Sequence, residues 1–551
     1  MNQSVVQTQD SFFACGVPVI IREDEQGETH AYHMETGQRL SESSLKYQTV
    51  YGGAPQGWVD HTCIRMESGL LKQLYGGSQG GGVRGRADIQ MTGGVIGQWL
   101  DGGGLDDTVG EVHIQLNGGV IRYGLAGAGE SRFCGPVALD FPNVTCAKVY
   151  TGTMNEQGLQ QGGVHLRMQN GVIIFLWCGG LGRTTGRLDL EITGGFVEKN
   201  ITPLNLDGSV KLKLYQNFLR PGREAPSPLL PEGADIEWLP HSFAWQFPRH
   251  EDHPHLPLSR QEDAGKLVMR FLELRHPQTP KDTVLFGDYI GDCILIRFPG
   301  GQQMMVDTGM AYSAPEVLSR LKELQITHLD YLLITHYHGD HMGAAPAILS
   351  ACPVGQVLLP DMVVEEEPPN AMKLHLQLLD AILDAGVPVR RVARSDQLVI
   401  GQGTEQVVLH FLNPGHHGIR SADVNAQSVA VKLCFGHTSA LLGADITDET
   451  EAELAQLYGE KLQADVLKLS HHAITHQSFY RYIDACAPSY VIVHNLREQG
   501  AFAGTTRYAL IHVNHIPAER ILMTGSHGLI RVALDGTPGG VSVCTQYTPI
   551  S

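Results

Sequence analysis

Apolar and polar residues alternate along the first part of the chain with a fixed long period. The segments IRMESGLL (64–71), IQMTGGVI (89–96), IQLNGGVI (114–121), LDFPNVTC (139–146), LRMQNGVI (166–173) and LEITGGFV (190–197) start 25, 25, 25, 27 and 24 residues apart. Each alternates, turns at Gly or Asn, and begins a second apolar pair. Eleven residues after the first five starts stand Tyr75, Leu100, Leu125, Tyr150 and Trp177. Alternation of this kind predicts short strands with one face inward. A repeat near 25 residues predicts stacked coils, a β-solenoid, in which no coil can bury its face alone. Residues 46–215 hold 35 of the 64 glycines, which suit the corners. Before them, residues 1–45 include VIIREDEQGETHAYHM, read as a polar-tipped hairpin that caps the stack.

Residues 216–264 contain eight of the 28 prolines and read as a linker. The linker includes HEDHPHL, whose His250, His253 and His255 form either a solvated loop or an accessory metal contact. From 265 to 551 the texture changes. LVMRFLEL (267–274), CILIRF (293–298) and QMMVD (303–307) predict strands, and SAPEVLSRLKELQ (313–325) a helix with Pro315 in its first turn. Further helices are expected at 370–385, 447–458, 477–486 and 504–514. Strands are expected at 407–412, 428–435, 439–445, 464–470 and 490–495. The expected fold is α+β overall: a solenoid followed by a layered αββα domain.

Composition narrows the function classes. The chain has 551 residues, 42% hydrophobic and 18% charged, with a formal net charge of -18. The acidity is spread over both halves, which disfavours generic nucleic-acid binding by phosphate neutralisation. No apolar run is long enough to span a bilayer. The start lacks a basic region followed by an apolar core, so a cytoplasmic location is expected. The ten cysteines form no CxxC pair, which argues against a thiolate zinc site and a disulfide framework.

The chemistry concentrates in LLITHYHGDHMGAA (332–345). His336, His338, Asp340 and His341 follow an apolar strand and precede a helix. Imidazole and carboxylate are borderline ligands that suit zinc, manganese or iron. Set in a loop at a strand end, they make a hydrolytic metal site, where bound water loses its proton more easily.

This HxHxDH stretch resembles the signature of the metallo-β-lactamase fold superfamily, closest to the competence-protein (ComEC) type hydrolase domain. FGDYIGDCILIRFPGGQQMMVDTG (286–309), NAQSVAVKLCFGHTSALLGADI (425–446), ADVLKLSHHAITHQSF (464–479) and ILMTGSHGLIRV (521–532) resemble further blocks of that domain. The resemblance covers about 265–551 and implies a four-layer αββα fold with two divalent ions, zinc or manganese, the first held more weakly. It implies that His336 and His338 bind metal 1, Asp340 and His341 bind metal 2, and Asp445 bridges them. His471 would complete metal 2, with His472 beside the substrate or as the alternative ligand. Asp340 would also hold the attacking water, so Asp340 and His472 are the expected catalytic pair. Asp307 would orient the histidine loop, and Lys468 would be structural or face a phosphate.

The chain departs from the family pattern in two places. The third metal 1 ligand is His416, His417 or none, and Ala473 and Ile474 replace a small Gly-Ser pair. His494 reads as a strand-end polar residue or a substrate contact, and Asn425 and Ser428 as structural or substrate-binding. The expected function is a metal-dependent phosphodiesterase or nuclease acting on a nucleic acid, a nucleotide or a phosphorylated small molecule. The alternatives are hydrolysis of a lactone, thioester or β-lactam, and a solenoid-based binding or assembly protein with a structural metal domain. No membrane is expected as partner. A homo-oligomer or protein partner would use the solenoid.

Overall fold

In the computed structural model, the alternating segments of the first part become strands that pair in parallel. One inward residue from each forms a continuous column: Ile64, Ile89, Ile114, Leu139, Leu166, Leu190, Leu212 and Ile236 are successive register partners. The first seven belong to one buried cluster, and Ile236 packs against it. The structure describes residues 5–215, 232–240, 249–252, 258, 260, 262–274, 291–365, 369–473, 479–494 and 501–550.

A second inward column runs through Leu74, Leu100, Leu125, Val149, Leu176 and Ile201. Tyr75, Tyr150 and Trp177 therefore do not align with Leu100 and Leu125, as a constant offset of eleven predicts. The segment between the two columns is one residue shorter in the first, fourth and fifth repeats, so these aromatics fall on the opposite face. There Tyr150 and Trp177 stack at 4.4 Å, and Tyr75 stacks on Tyr51 at 4.7 Å. The corners use Gly94 and Gly119 at φ 85° and 80°. A side chain there would be strained and would also press on the neighbouring repeat's backbone.

The strands Val19–Glu23 and Thr29–His33 form an antiparallel hairpin, and the first pairs in parallel with Thr62–Met66. Contacts divide the chain into two units, residues 1–245 with 499–515 and residues 246–498 with 516–551. The helix Ala501–His512 thus belongs with the strand stack, where the Tyr508 hydroxyl accepts from Gly94 N at 3.2 Å.

The second unit is built on two sheets. The eight-stranded sheet runs in the order Val389–Val392, Val354–Pro360, Leu329–Leu333, Gln303–Val306, Ile294–Arg297, Leu267–Phe271, Ile530–Leu534, Val541–Thr545. The seven-stranded sheet runs Gln397–Ile400, Val407–Phe411, Val431–Phe435, Thr438–Leu442, Val466–Lys468, Tyr490–Val493, Ile521–Met523. Met269, Ile296, Met304 and Leu333 of the first meet Leu409, Leu433, Ala440 and Ile492 of the second in one buried cluster. Residues of opposite parity in the first sheet, such as Leu295, Met305 and Leu332, pack against Val317, Leu321, Ile348 and Leu378. These come from the helices Ala314–Glu323, Ala345–Ala351 and Pro369–Ala385. Among the described residues, no helix is long and apolar enough to cross a membrane. His253, His255 and Ile474 lie outside the described residues, and of His250 only the backbone is described.

Candidate metal centre

The candidate metal-binding residues of the second unit stand just past the carboxyl ends of buried strands. Leu329–Leu333 lies between two parallel neighbours and delivers Thr335 and His336. The chain then turns into the short helix Gly339–Met342, which carries Asp340 and His341. Gln303–Val306 ends at Asp307, Thr438–Leu442 leads to Asp445, and Val466–Lys468 leads to His471 and His472. Asp307, Ala444, His471, His472 and Ala473 all adopt left-handed φ, between 47° and 64°. Non-glycine residues persist there only where the surroundings over-determine them, and such strain clusters at functional sites.

These ends converge. Asp445 Oδ2 lies 3.2 Å from His341 Nε2, 3.4 Å from His472 Nε2 and 3.8 Å from His336 Nε2. His472 Nε2 is also 3.5 Å from Asp340 Oδ2. His338 Nδ1 is 3.1 Å from His336 Nε2. Behind this group, Asp307 Oδ2 lies 2.8 Å from His341 Nδ1 and accepts from the Thr335 hydroxyl at 2.7 Å, while Oδ1 accepts from Thr335 N at 2.7 Å. Ser428 Oγ accepts from Asp445 N at 3.1 Å.

The electrostatics follow from burial and close opposite charge. Burial pushes the Asp445 carboxyl up, but His341 and His472 outweigh it and hold it well below the usual range. Burial likewise raises Asp340, yet His341 and His472 keep it ionised. His341 is driven the other way: burial lowers it, and Asp445, Asp307 and Asp340 raise it well above an ordinary imidazole. For His336 burial wins, helped by His341, and the ring is held neutral. A neutral imidazole and ionised carboxylates are the forms that ligate metals.

The residues fit divalent ions. His336, His341 and Asp445 present ligand atoms within 4.8 Å of one another, as do Asp340, His341 and His472. Asp445 Oδ1 is buried without a hydrogen-bond partner. A buried carboxylate oxygen left bare is costly unless a cation meets it. The mixed imidazole and carboxylate set suits zinc, manganese or iron.

A model of the metallo-beta-lactamase superfamily matches residues 286–427. The chain carries a metallo-β-lactamase domain there, and it is similar to two competence proteins. It is 27% identical over 222 residues to ComE operon protein 3 of Bacillus subtilis, which covers 40% of this chain and 27% of that protein. It is 22% identical over 203 residues to Competence protein ComA of Neisseria gonorrhoeae, covering 37% of this chain and 25% of that one. The chain thus spans about a quarter of the length of these curated relatives. Among solved structures it is similar to a diphosphatase from the PhnP family, at 13% identity and a TM-score of 0.28, over 46% of this chain and 94% of that one.

Within the metallo-β-lactamase domain the structure brings together His336, His338, Asp340, His341, Asp445 and His472, with Asp307 behind. His472, rather than His471, faces Asp340 and Asp445. His471 instead places Nε2 3.3 Å from Asn425 Nδ2. His416 and His417 stand elsewhere: His417 is exposed, with Nδ1 2.6 Å from Asp361 and Nε2 3.2 Å from Asp396. His416 Nδ1 meets only the His417 carbonyl, at 3.0 Å, among the described residues. Lys468 is buried, pairs with Asp292 and donates to Ala444 O at 3.1 Å, so it points into the interior.

Asp292 had no reading in the sequence, and His494 was read only as a strand-end polar residue or a substrate contact. Asp292 and His494 are both buried, and Asp292 Oδ1 lies 3.0 Å from His494 Nδ1 and 3.4 Å from His472 Nδ1. The available signal for Asp292 was a charged residue entering the apolar strand of IGDCILIRF. An aspartate there needs a partner, but nothing local says which.

Proposed function

We propose that this domain is a two-metal hydrolase of phosphodiester bonds with a four-layer αββα fold, and that the parallel strand stack of residues 46–215 is a β-solenoid. The observation that carries the hydrolase reading is the Asp445 carboxylate, buried and shared by three imidazoles, with one oxygen unpartnered. Likeness to competence proteins supports the phosphodiester class. His336 and His338 would hold one ion, Asp340, His341 and His472 the other, and Asp445 both. Bound zinc or manganese would supply Lewis acidity and activate water at neutral pH.

The chain's own groups have distinct tasks. Asp340, ionised and partly open to solvent, accepts the proton of the attacking water at its carboxylate. His472 borders the same space, with Nε2 toward Asp340 and Asp445. Asp307 holds His341 so that its Nε2 faces inward. The net charge of -18 disfavours long duplex DNA, so the substrate class is a nucleotide, a short or single strand, or a phosphorylated small molecule.

The test is hydrolysis of bis(p-nitrophenyl) phosphate by the full chain with added manganese or zinc, beside Asp340→Asn. Metal-dependent turnover lost in the variant is expected. Equal turnover in both proteins refutes the assigned role of Asp340. Turnover of lactones or thioesters without phosphodiesters moves the activity to that class.

A further inference from the structure

Resting on the two-metal reading above, we propose that Asp292 is a positioning residue that fixes the ring of His472 from behind, with Lys468 and His494 as its own supports. The geometry repeats, on a second strand end, the arrangement at His341. There Nε2 faces Asp445 and Nδ1 is backed by Asp307. At His472, Nε2 faces Asp445 Oδ2 at 3.4 Å and Asp340 Oδ2 at 3.5 Å, while Nδ1 is backed by Asp292 Oδ1 at 3.4 Å and the His494 carbonyl at 3.2 Å. The His494 carbonyl is the hydrogen-bond acceptor of Nδ1, and the negative charge of Asp292 beside it favours the proton there, which leaves the Nε2 lone pair for the centre.

His472 needs such a support. It sits in the middle of three consecutive left-handed residues, where the backbone alone does not set the ring. Asp292 can provide it because it is itself fixed. It is 2% exposed and precedes the strand Ile294–Arg297, and its carbonyl accepts from Gly309 N at 2.9 Å. The Lys468 ammonium contacts Oδ2, and the buried His494 ring lies 3.0 Å from Oδ1 and 5.6 Å from the Phe271 ring. Lys468 cancels the charge of Asp292 in the interior, where an unpaired carboxylate is strongly disfavoured. What remains is directional: an oxygen held against Nδ1. The competing view makes Asp292 only a counterion for Lys468, with no consequence for His472.

The experiment compares metal binding by the wild-type chain, Asp292→Asn with Lys468→Met, His472→Gln, and the triple variant. Changing Asp292 and Lys468 together leaves no buried unpaired charge, and circular dichroism and thermal unfolding report whether the fold is kept. Calorimetric titration with manganese gives stoichiometry and affinity, and cobalt substitution gives a visible spectrum of the ligand field. The expected result is a folded double variant whose second ion binds about 10- to 100-fold more weakly, with a changed cobalt spectrum. The His472→Gln background should show no further loss, because the pathway runs through that ring.

Wild-type affinity and spectrum in the double variant would overturn the proposal, as would an equal additional loss in the His472→Gln background. Wild-type protein that binds two ions but hydrolyses no phosphodiester removes the substrate reading, while the binding data still support the role of Asp292. Wild-type protein that binds no second ion overturns both.

Discussion

Replacing Asp307 by Asn tests how much of the centre depends on one carboxylate behind it. Asp307 is fully buried and makes three contacts: Oδ1 with Thr335 N, and Oδ2 with the Thr335 hydroxyl and His341 Nδ1. Its φ is 56°, a region that Asn tolerates as well as Asp does, so the backbone should hold. An amide can keep its oxygen on Thr335 N only by turning its NH2 toward His341 Nδ1. That ring must then lose the proton from Nδ1 and carry it on Nε2, the atom that faces Asp445. The flipped amide keeps His341 but opposes NH2 to the Thr335 N–H. Either way one hydrogen bond to a charged group is lost, about 1.5–3 kcal/mol. This matches the 10- to 100-fold loss of metal affinity, about 1.4–2.8 kcal/mol, typical of such partners. Calorimetric titration with manganese or zinc reads the affinity. Ala at this position should add about 1–2 kcal/mol of backbone strain, visible in thermal unfolding of the metal-free protein. Metal affinity within about twofold of wild type in Asp307→Asn would refute the reasoning, because the loss expected of such a partner is at least tenfold.

Asp263 bridges Arg270 at 2.8 Å and Arg531 at 2.7 Å, all three nearly buried, so Asp263→Ala should destabilise the domain by about 3–5 kcal/mol in denaturant unfolding. A loss under about 1 kcal/mol would show that the two arginines find other partners. A side chain at Gly291 would collide with the Asp340 carbonyl and with Gly309, so Gly291→Ala should cut turnover about 100-fold by shifting Asp340, with little change in circular dichroism. Unchanged turnover would mean the loop yields without moving the carboxylate. Hydrogen bonds to Asp361 and Asp396 raise His417 above its ordinary value. Its contribution is therefore complete below the unfolded value of about 6.5, while the carboxylates stay ionised, and is lost as pH rises through the higher folded value. The difference in melting temperature between wild type and His417→Gln should be larger near pH 6 than near pH 9, and a constant difference would contradict the clamp.

The part of the site that is local in sequence was readable in advance. His336, His338, Asp340 and His341 lie within six positions after an apolar strand, whose continuous apolar run marks it as buried. Asp307 and Asp445 were found through the resemblance to metallo-β-lactamase domains, and each stands just past an apolar strand of its own. What could not be read were relations set by the packing of distant strand ends. The choice between His471 and His472 depends on a left-handed turn, and alternation says nothing about such turns. Asp292 and His494 are 202 positions apart and meet only because their strands come together in the fold. The same limit appears in the first unit. The period of Ile64, Ile89 and Ile114 carried straight into the parallel register, but one-residue changes at the corners moved Tyr75, Tyr150 and Trp177 off the inward column.

The most direct test of the central claim is the anomalous scattering of crystals of the full chain soaked in manganese. Two peaks about 3.5–4 Å apart are expected, on either side of the Asp445 carboxylate. One should lie within ligand reach of His336 and His338, and the other within reach of Asp340 and His472. No peak, or a single peak remote from Asp445, would contradict it.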